Sequence, residues 1–79
     1  MYEILLKNLQ DNLGKAIWVV VPGGLISGEK LEIPHEGIIL LHNAIYYTGS
    51  TRLAISAADV FIEHISAFGM GAPIFNRLN

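Results

Sequence analysis

The sequence has no cysteine. Disulfides and thiolate-ligated metals, two of the usual supports of a small domain, are therefore excluded. Charge is scarce as well: 15% of residues are Asp, Glu, Lys or Arg, against about 25% in an ordinary globular protein. Cations are scarcest, with five Lys and Arg against seven Asp and Glu and a formal net charge of −2. That is not the electrostatic footprint of a general nucleic-acid binder, so any phosphate contact must come from local geometry. Long hydrophobic runs are also missing. The longest, Ala16 to Val21, falls far short of the roughly 20 residues that a membrane helix needs. Met1 to Leu13 interrupts its apolar pattern with Glu3, Lys7 and Asp11, which predicts neither a signal peptide nor a span. The expectation is a cytosolic protein without a membrane partner.

Chemical motifs are equally sparse. His35, His42 and His64 lack metal-ligand spacing, and no HExxH occurs, so no metal or other cofactor is expected. Gly23-Gly24-Leu25-Ile26-Ser27-Gly28 has the spacing that opens a phosphate-binding loop. Glu29 then stands where lysine belongs, and no Ser or Thr follows Lys30. There is no Gly-x-Ser-x-Gly, and no serine has a local histidine partner. The chain is not expected to be an enzyme.

Apolar residues are abundant, at 52% of 79 residues. One domain, 1–79, is the natural reading of this length, and a domain this small has little interior in which to hide that surface. Association with further copies is the economical solution.

Tyr2, Leu5, Leu6, Leu9 and Leu13 recur at spacings of three and four, which predicts a helix over 1–14 stopped by Gly14. From 15 to 70 the pattern is that of strands. Ile17 to Val21 is β-branched and aromatic, Pro22-Gly23-Gly24 is a turn, and a second strand runs Leu25 to Ile33. Gly28 marks a bulge or sharp bend within it, and Lys30 falls one place out of the apolar alternation. Pro34-His35-Glu36-Gly37 is the next turn. The third strand, Ile38 to Tyr47, puts Ile38, Leu40, His42, Ala44 and Tyr46 on one face by strict alternation, and Ile39, Leu41, Asn43, Ile45 and Tyr47 on the other. After Thr48-Gly49-Ser50-Thr51 a long fourth strand spans about Arg52 to Ile62, with an interruption near Ser56-Ala57-Ala58-Asp59. Ile65 to Met70 is a short fifth strand, and 71–79 is a tail carrying Ile74 and Phe75. Tight turns leave no room for parallel crossovers. The fold expected is mainly β: an N-terminal helix, then a strongly bent five-stranded antiparallel sheet or SH3-like barrel whose open edges invite pairing with another chain.

In this order and spacing the pieces resemble the Sm-like family, the Sm and LSm proteins and the bacterial RNA chaperone Hfq. The resemblance covers Leu5 to Met70. It is carried by Leu5–Leu9 with Leu13–Ile17, by Gly24-Leu25-Ile26-Ser27-Gly28, by Ile38 to Ala44, and by Val60 to Ser66. It implies a closed homo-oligomeric ring, in which the fourth strand of one copy pairs with the fifth of the next. It also implies RNA, or single-stranded nucleic acid, as cargo for a non-catalytic chaperone or regulator. By resemblance the nucleic-acid pocket maps onto His35, Glu36, Gly37 and Asn43 from the first side, and Glu63 and His64 from the turn after the fourth strand. Those turns depart from the family pattern. Glu63-His64 replaces an arginine–glycine or lysine–histidine pair, and Pro34 and Gly37 replace side chains that could stack. Repeated around a ring, Glu36 and Glu63 would repel phosphate. The alternative is therefore a structural or protein-interaction ring without nucleic acid. Lys15, Lys30 and Arg52 are scattered as surface cations are. Trp18, Phe61 and Phe68 sit where packing is the commoner role, and Tyr46 and Tyr47 flank a loop where subunit contact is expected.

Overall fold

The computed structural model describes residues 2–71. Helix α1 (Tyr2–Gln10) is followed by strands β1 (Ile17–Val21), β2 (Gly24–Gly28), β3 (Lys30–His35), β4 (Ile38–Thr48) and β5 (Thr51–Phe61). A single 3-10 turn (Ile62–His64) then leads into β6 (Ala67–Met70). Every strand pairing is antiparallel, in the order β3-β4-β2-β1-β6, with β5 on the other side of β4. The expected tail, 71–79, lies outside the described residues apart from Gly71.

The helix ends a turn earlier than the apolar spacing predicts. Asn12 is the cause. Its side-chain amide donates to the Asn8 carbonyl at 2.7 Å, while its backbone N–H bonds Leu9 O at 3.1 Å, one residue closer than an α-helix requires. A short amide side chain competing for a backbone carbonyl tightens and closes the last turn. Gly14, at φ +82°, then reverses the chain, and its N–H donates to Leu31 O at 2.8 Å. Leu9 is fully buried, whereas Tyr2 and Leu13 are exposed rather than part of the buried face.

The core is Leu9, Ile17, Val19, Leu31, Ile39, Leu41, Ala44, Val60 and Ile62. Burying each large apolar side chain stabilises the fold by about 1.5–3 kcal/mol. No polar or charged side chain is buried among the described residues.

The expected second strand is broken at Glu29 into β2 and β3, so the sheet has six strands and not five. The break belongs to a crease that crosses three strands. On the core side lie Ile26 and Gly28 of β2, but Leu31 and Ile33 of β3. On β4 they are Ile39 and Leu41, then Ala44; on β5, Val60 and Ala58, then Ile55. In each case the inward parity slips by one at a single row, Glu29–Asn43–Ser56. Ladder pairing lapses there too: β4–β5 runs His42–Ala57 and then Ala44–Ile55, and β2 and β3 resume on β4 with Ser27–Ile45 and Lys30–His42. Asn43 carries the slip with φ +50°, the one left-handed residue other than glycine among those described. Strict alternation along Ile38 to Tyr47 is thereby corrected: Ala44 shares a face with Leu41. Lys30 is exposed and Leu31 buried for the same reason.

Two devices hold the crease. Asn43 Nδ2 donates to Glu29 Oε1 at 3.2 Å, and Glu29 N–H donates to His42 O at 2.9 Å. Gly28 is buried so close to β4 that a Cβ would stand 2.7 Å from Leu41 Cβ, an atom anchored to backbone. Beside the crease, Lys30 Nζ lies 3.4 Å from Glu32 Oε2 and His42 Nε2 lies 3.1 Å from Glu32 Oε1. The His42 approach is a close contact without an aligned hydrogen bond, an ion pair when the imidazole carries a proton. His42 first, and Lys30 second, hold the Glu32 carboxyl below its usual range.

Three outcomes are expected. Asn43→Val, a β-branched residue in the left-handed region, should cost roughly 1–2 kcal/mol, while Asn43→Gly should stay close to neutral; urea midpoints measure both. Gly28→Ala should cost roughly 1–3 kcal/mol by overpacking against Leu41, read from the same unfolding curves. Because the Glu32 pKa is lowered by folding, its contribution is present above the ordinary glutamate value and is lost as pH falls through the lowered one. His42→Ala should move the Glu32 titration, followed by NMR, upward toward the ordinary value; no movement would refute the pairing.

Candidate functional site

Two turns meet at one end of the barrel. The first joins β3 to β4 through Glu36 and Gly37, where Gly37 takes φ +82°. The second is the 3-10 turn that follows β5, and its first residue, Ile62, is fully buried. Ile62 N–H donates to Gly37 O at 2.9 Å. That backbone bond fixes one turn against the other, and an anchored Ile62 leaves Glu63 and His64 to point outward.

Between the turns is a cavity of about 250 Å³, lined by Tyr2, Glu36, Gly37, Ile38, Phe61 and Glu63. Its walls carry two carboxylates and two aromatic rings. Among the described residues no Lys, Arg or His lines it. The ion pairs among the described residues are Lys7–Asp11, Lys30–Glu32 and His42–Glu32, and none neutralises Glu36 or Glu63. Such a site repels phosphate and attracts a cation. Among the described residues no group of three His, Asp or Glu is placed to hold a metal ion.

The six residues assigned by resemblance are distributed unevenly. Glu36, Gly37 and Glu63 come together on this cavity. His64 turns away from it. Its ring meets Phe61 edge-on, with centroids 5.6 Å apart at 74°, and it lines a neighbouring cavity of about 290 Å³ with Val21, Pro22, Ile26, Asp59, Val60 and Phe61. His35 is exposed at the end of β3, opposite Ile38, and lines neither cavity. Asn43 is five residues along β4 from Ile38, or about 16 Å of strand, and bonds Glu29 at the crease.

Tyr2 and Phe61 are the lining residues that sequence reasoning did not assign to the site. Tyr2 reads as a member of the buried helix face and Phe61 as a packing residue. Each keeps over two-fifths of its surface exposed, Tyr2 at 42% and Phe61 at 54%. Adjacency is the signal that was there to use: Phe61 immediately precedes the buried Ile62 that anchors the second turn. At the other end of the molecule Tyr46 and Tyr47 are half-buried beside the β4–β5 turn, with the Arg52 guanidinium 5.8 Å from the Tyr47 ring centroid.

No family model matches the sequence, and no curated protein matches it. Solved structures do match in shape. A heptameric archaeal Sm protein superposes with a TM-score of 0.68 at 20% identity, over 84% of this chain and 98% of that one. The Pyrococcus abyssii Sm protein in complex with a uridine heptamer gives 0.69 at 14% identity, over 84% and 96%. A chain of the NatC complex bound to CoA gives 0.66 at 18% identity, over 90% and 94%. These superpositions span 84–90% of this chain and 94–98% of the others, and this chain has the Sm-like fold.

Proposed function

We propose that the protein is a non-catalytic ring subunit of the Sm type, several copies of which close through their free strand edges to carry RNA or single-stranded nucleic acid as a chaperone or regulator. The observation that carries the ring is the pair of unfilled edges. Among the described residues β5 bonds β4 alone and β6 bonds β1 alone, so one copy's β5 can accept the next copy's β6. Leu53 and Phe61 of β5 remain exposed, as does Ile4 beside β6. An apolar groove of about 310 Å³, lined by Ile4, Leu5, Asn8, Ile65, Ser66, Ala67 and Phe68, runs along that second edge. Support for nucleic acid is the fold, which is that of a protein solved with a uridine heptamer.

A second reading is a ring, or a subunit of a larger assembly, that binds protein and no nucleic acid. One observation favours it: Glu36 and Glu63 meet on the cavity where the resemblance places the RNA pocket, and among the described residues no cation pairs with them. The same fold also occurs in a chain of the NatC complex.

Light scattering should give an integer multiple of the chain mass, and Leu53→Lys, a charge placed on the open edge, should shift it to monomer. A wild-type monomer would defeat the ring. Fluorescence anisotropy with short oligo-U and oligo-A at low salt separates the two cargoes: saturable binding that weakens as salt rises supports nucleic acid, and its absence leaves the protein-binding reading.

A further inference from the structure

We infer that the cavity between the β3–β4 turn and the 3-10 turn is a docking site for an arginine side chain of a basic protein segment. The inference rests on the second reading above and names its partner by chemistry. The site lies within one chain and needs no neighbouring copy.

Size, charge and shape each narrow the occupant. A volume of about 250 Å³ falls below the roughly 300–1,000 Å³ of pockets for drug-sized ligands, and suits a single side chain. Glu36 and Glu63 supply negative charge from opposite turns, and the described ion pairs leave both without a cation. Tyr2 and Phe61 supply aromatic faces, on which a planar guanidinium stacks while its N–H groups reach carboxylates. Phe61 is steadied from behind by the edge-on His64 ring. Phosphate is refused by the same carboxylates. A hard metal ion is poorly served, because the four oxygens of two carboxylates fall short of the six to eight that calcium takes. Lysine would satisfy the charge, but it brings no flat face to the rings.

The Ile62–Gly37 backbone bond gives the site its affinity without reorganisation. The bond ties one turn to the other, so Glu36 and Glu63 already share one cavity before a guanidinium arrives.

The test uses the full chain and a fluorescein-labelled Gly-Arg-Gly-Arg-Gly-Arg peptide, with the same peptide carrying citrulline, arginine's neutral isostere. Anisotropy should show salt-sensitive binding of the arginine peptide only. Glu36→Gln and Glu63→Gln should each weaken it about tenfold, the loss of one charged hydrogen bond of about 1.4 kcal/mol. Asp11→Asn removes equal charge from a distant, exposed position and should change affinity by about twofold or less. Amide shifts on the wild-type protein should centre on Tyr2, Glu36, Gly37, Phe61 and Glu63. Equal losses in all three variants would show diffuse attraction and overturn the site. So would equal binding of the citrulline peptide, no binding at low salt, or shifts centred elsewhere. Light scattering on the same samples reports the ring separately, since a monomer that binds the peptide would defeat the ring and keep the site.

Discussion

Everything in this molecule hangs on a fold in the sheet at one row of residues. Antiparallel strands as long as β4 and β5, eleven residues each, would form a twisted but unfolded ribbon with one inner face if inward and outward positions simply alternated. Asn43 breaks the alternation with a left-handed backbone, and Glu29 and Ser56 follow it on the flanking strands. Ile39, Leu41 and Val60 can then face Ala44, Ile55 and Ile26 around one small core, under the helix that contributes Leu9. Without the slip, half of those side chains would point at solvent. The N-terminal turn depends on it too, because Gly14 and Lys15 bond the backbone of Leu31 just past the break.

The same geometry explains what could and could not be read from the sequence. Element types were legible because β-branched and aromatic runs are separated by Pro-Gly, His-Glu-Gly and Gly-Ser turns. The place of the bend was legible in Gly28, whose missing side chain makes room for Leu41. Its consequence across the sheet was not. Alternation is a rule about one strand, whereas the parity slip arises because three neighbours must turn together. Asn43 was read as a candidate binding residue, but asparagine is also a residue that tolerates the left-handed region. The early end of α1 was hidden similarly, in a side chain that competes with its own backbone.

Of the cavity, the strand order showed the two turns and the resemblance pointed to Glu36, Gly37 and Glu63, which line it; the aromatic lining was not legible. Tyr2 precedes the first helical leucines and belongs by spacing to the buried face; only the position of the helix start over the barrel end shows that it lines a cavity. A fold does not fix a task. This scaffold has the Sm-like helix and sheet, and at one end of it the glutamates of two turns line a cavity together with the Tyr2 and Phe61 rings.

The lengths of the two open edges are unequal. Strand β6 has four residues and β5 has eleven, so any partner that offers only a β6 covers about a third of the edge it meets. The remainder is a template for unlimited strand addition, the hazard that leads to aggregates. Along it the protein places Arg52 and Asp59, the short polar Thr51 and Ser56, and the small Ala54 and Ala57. Only Leu53 and Phe61 among the outlying positions are large and apolar. Small and charged residues on one strand are thus what that edge sets against further strand addition.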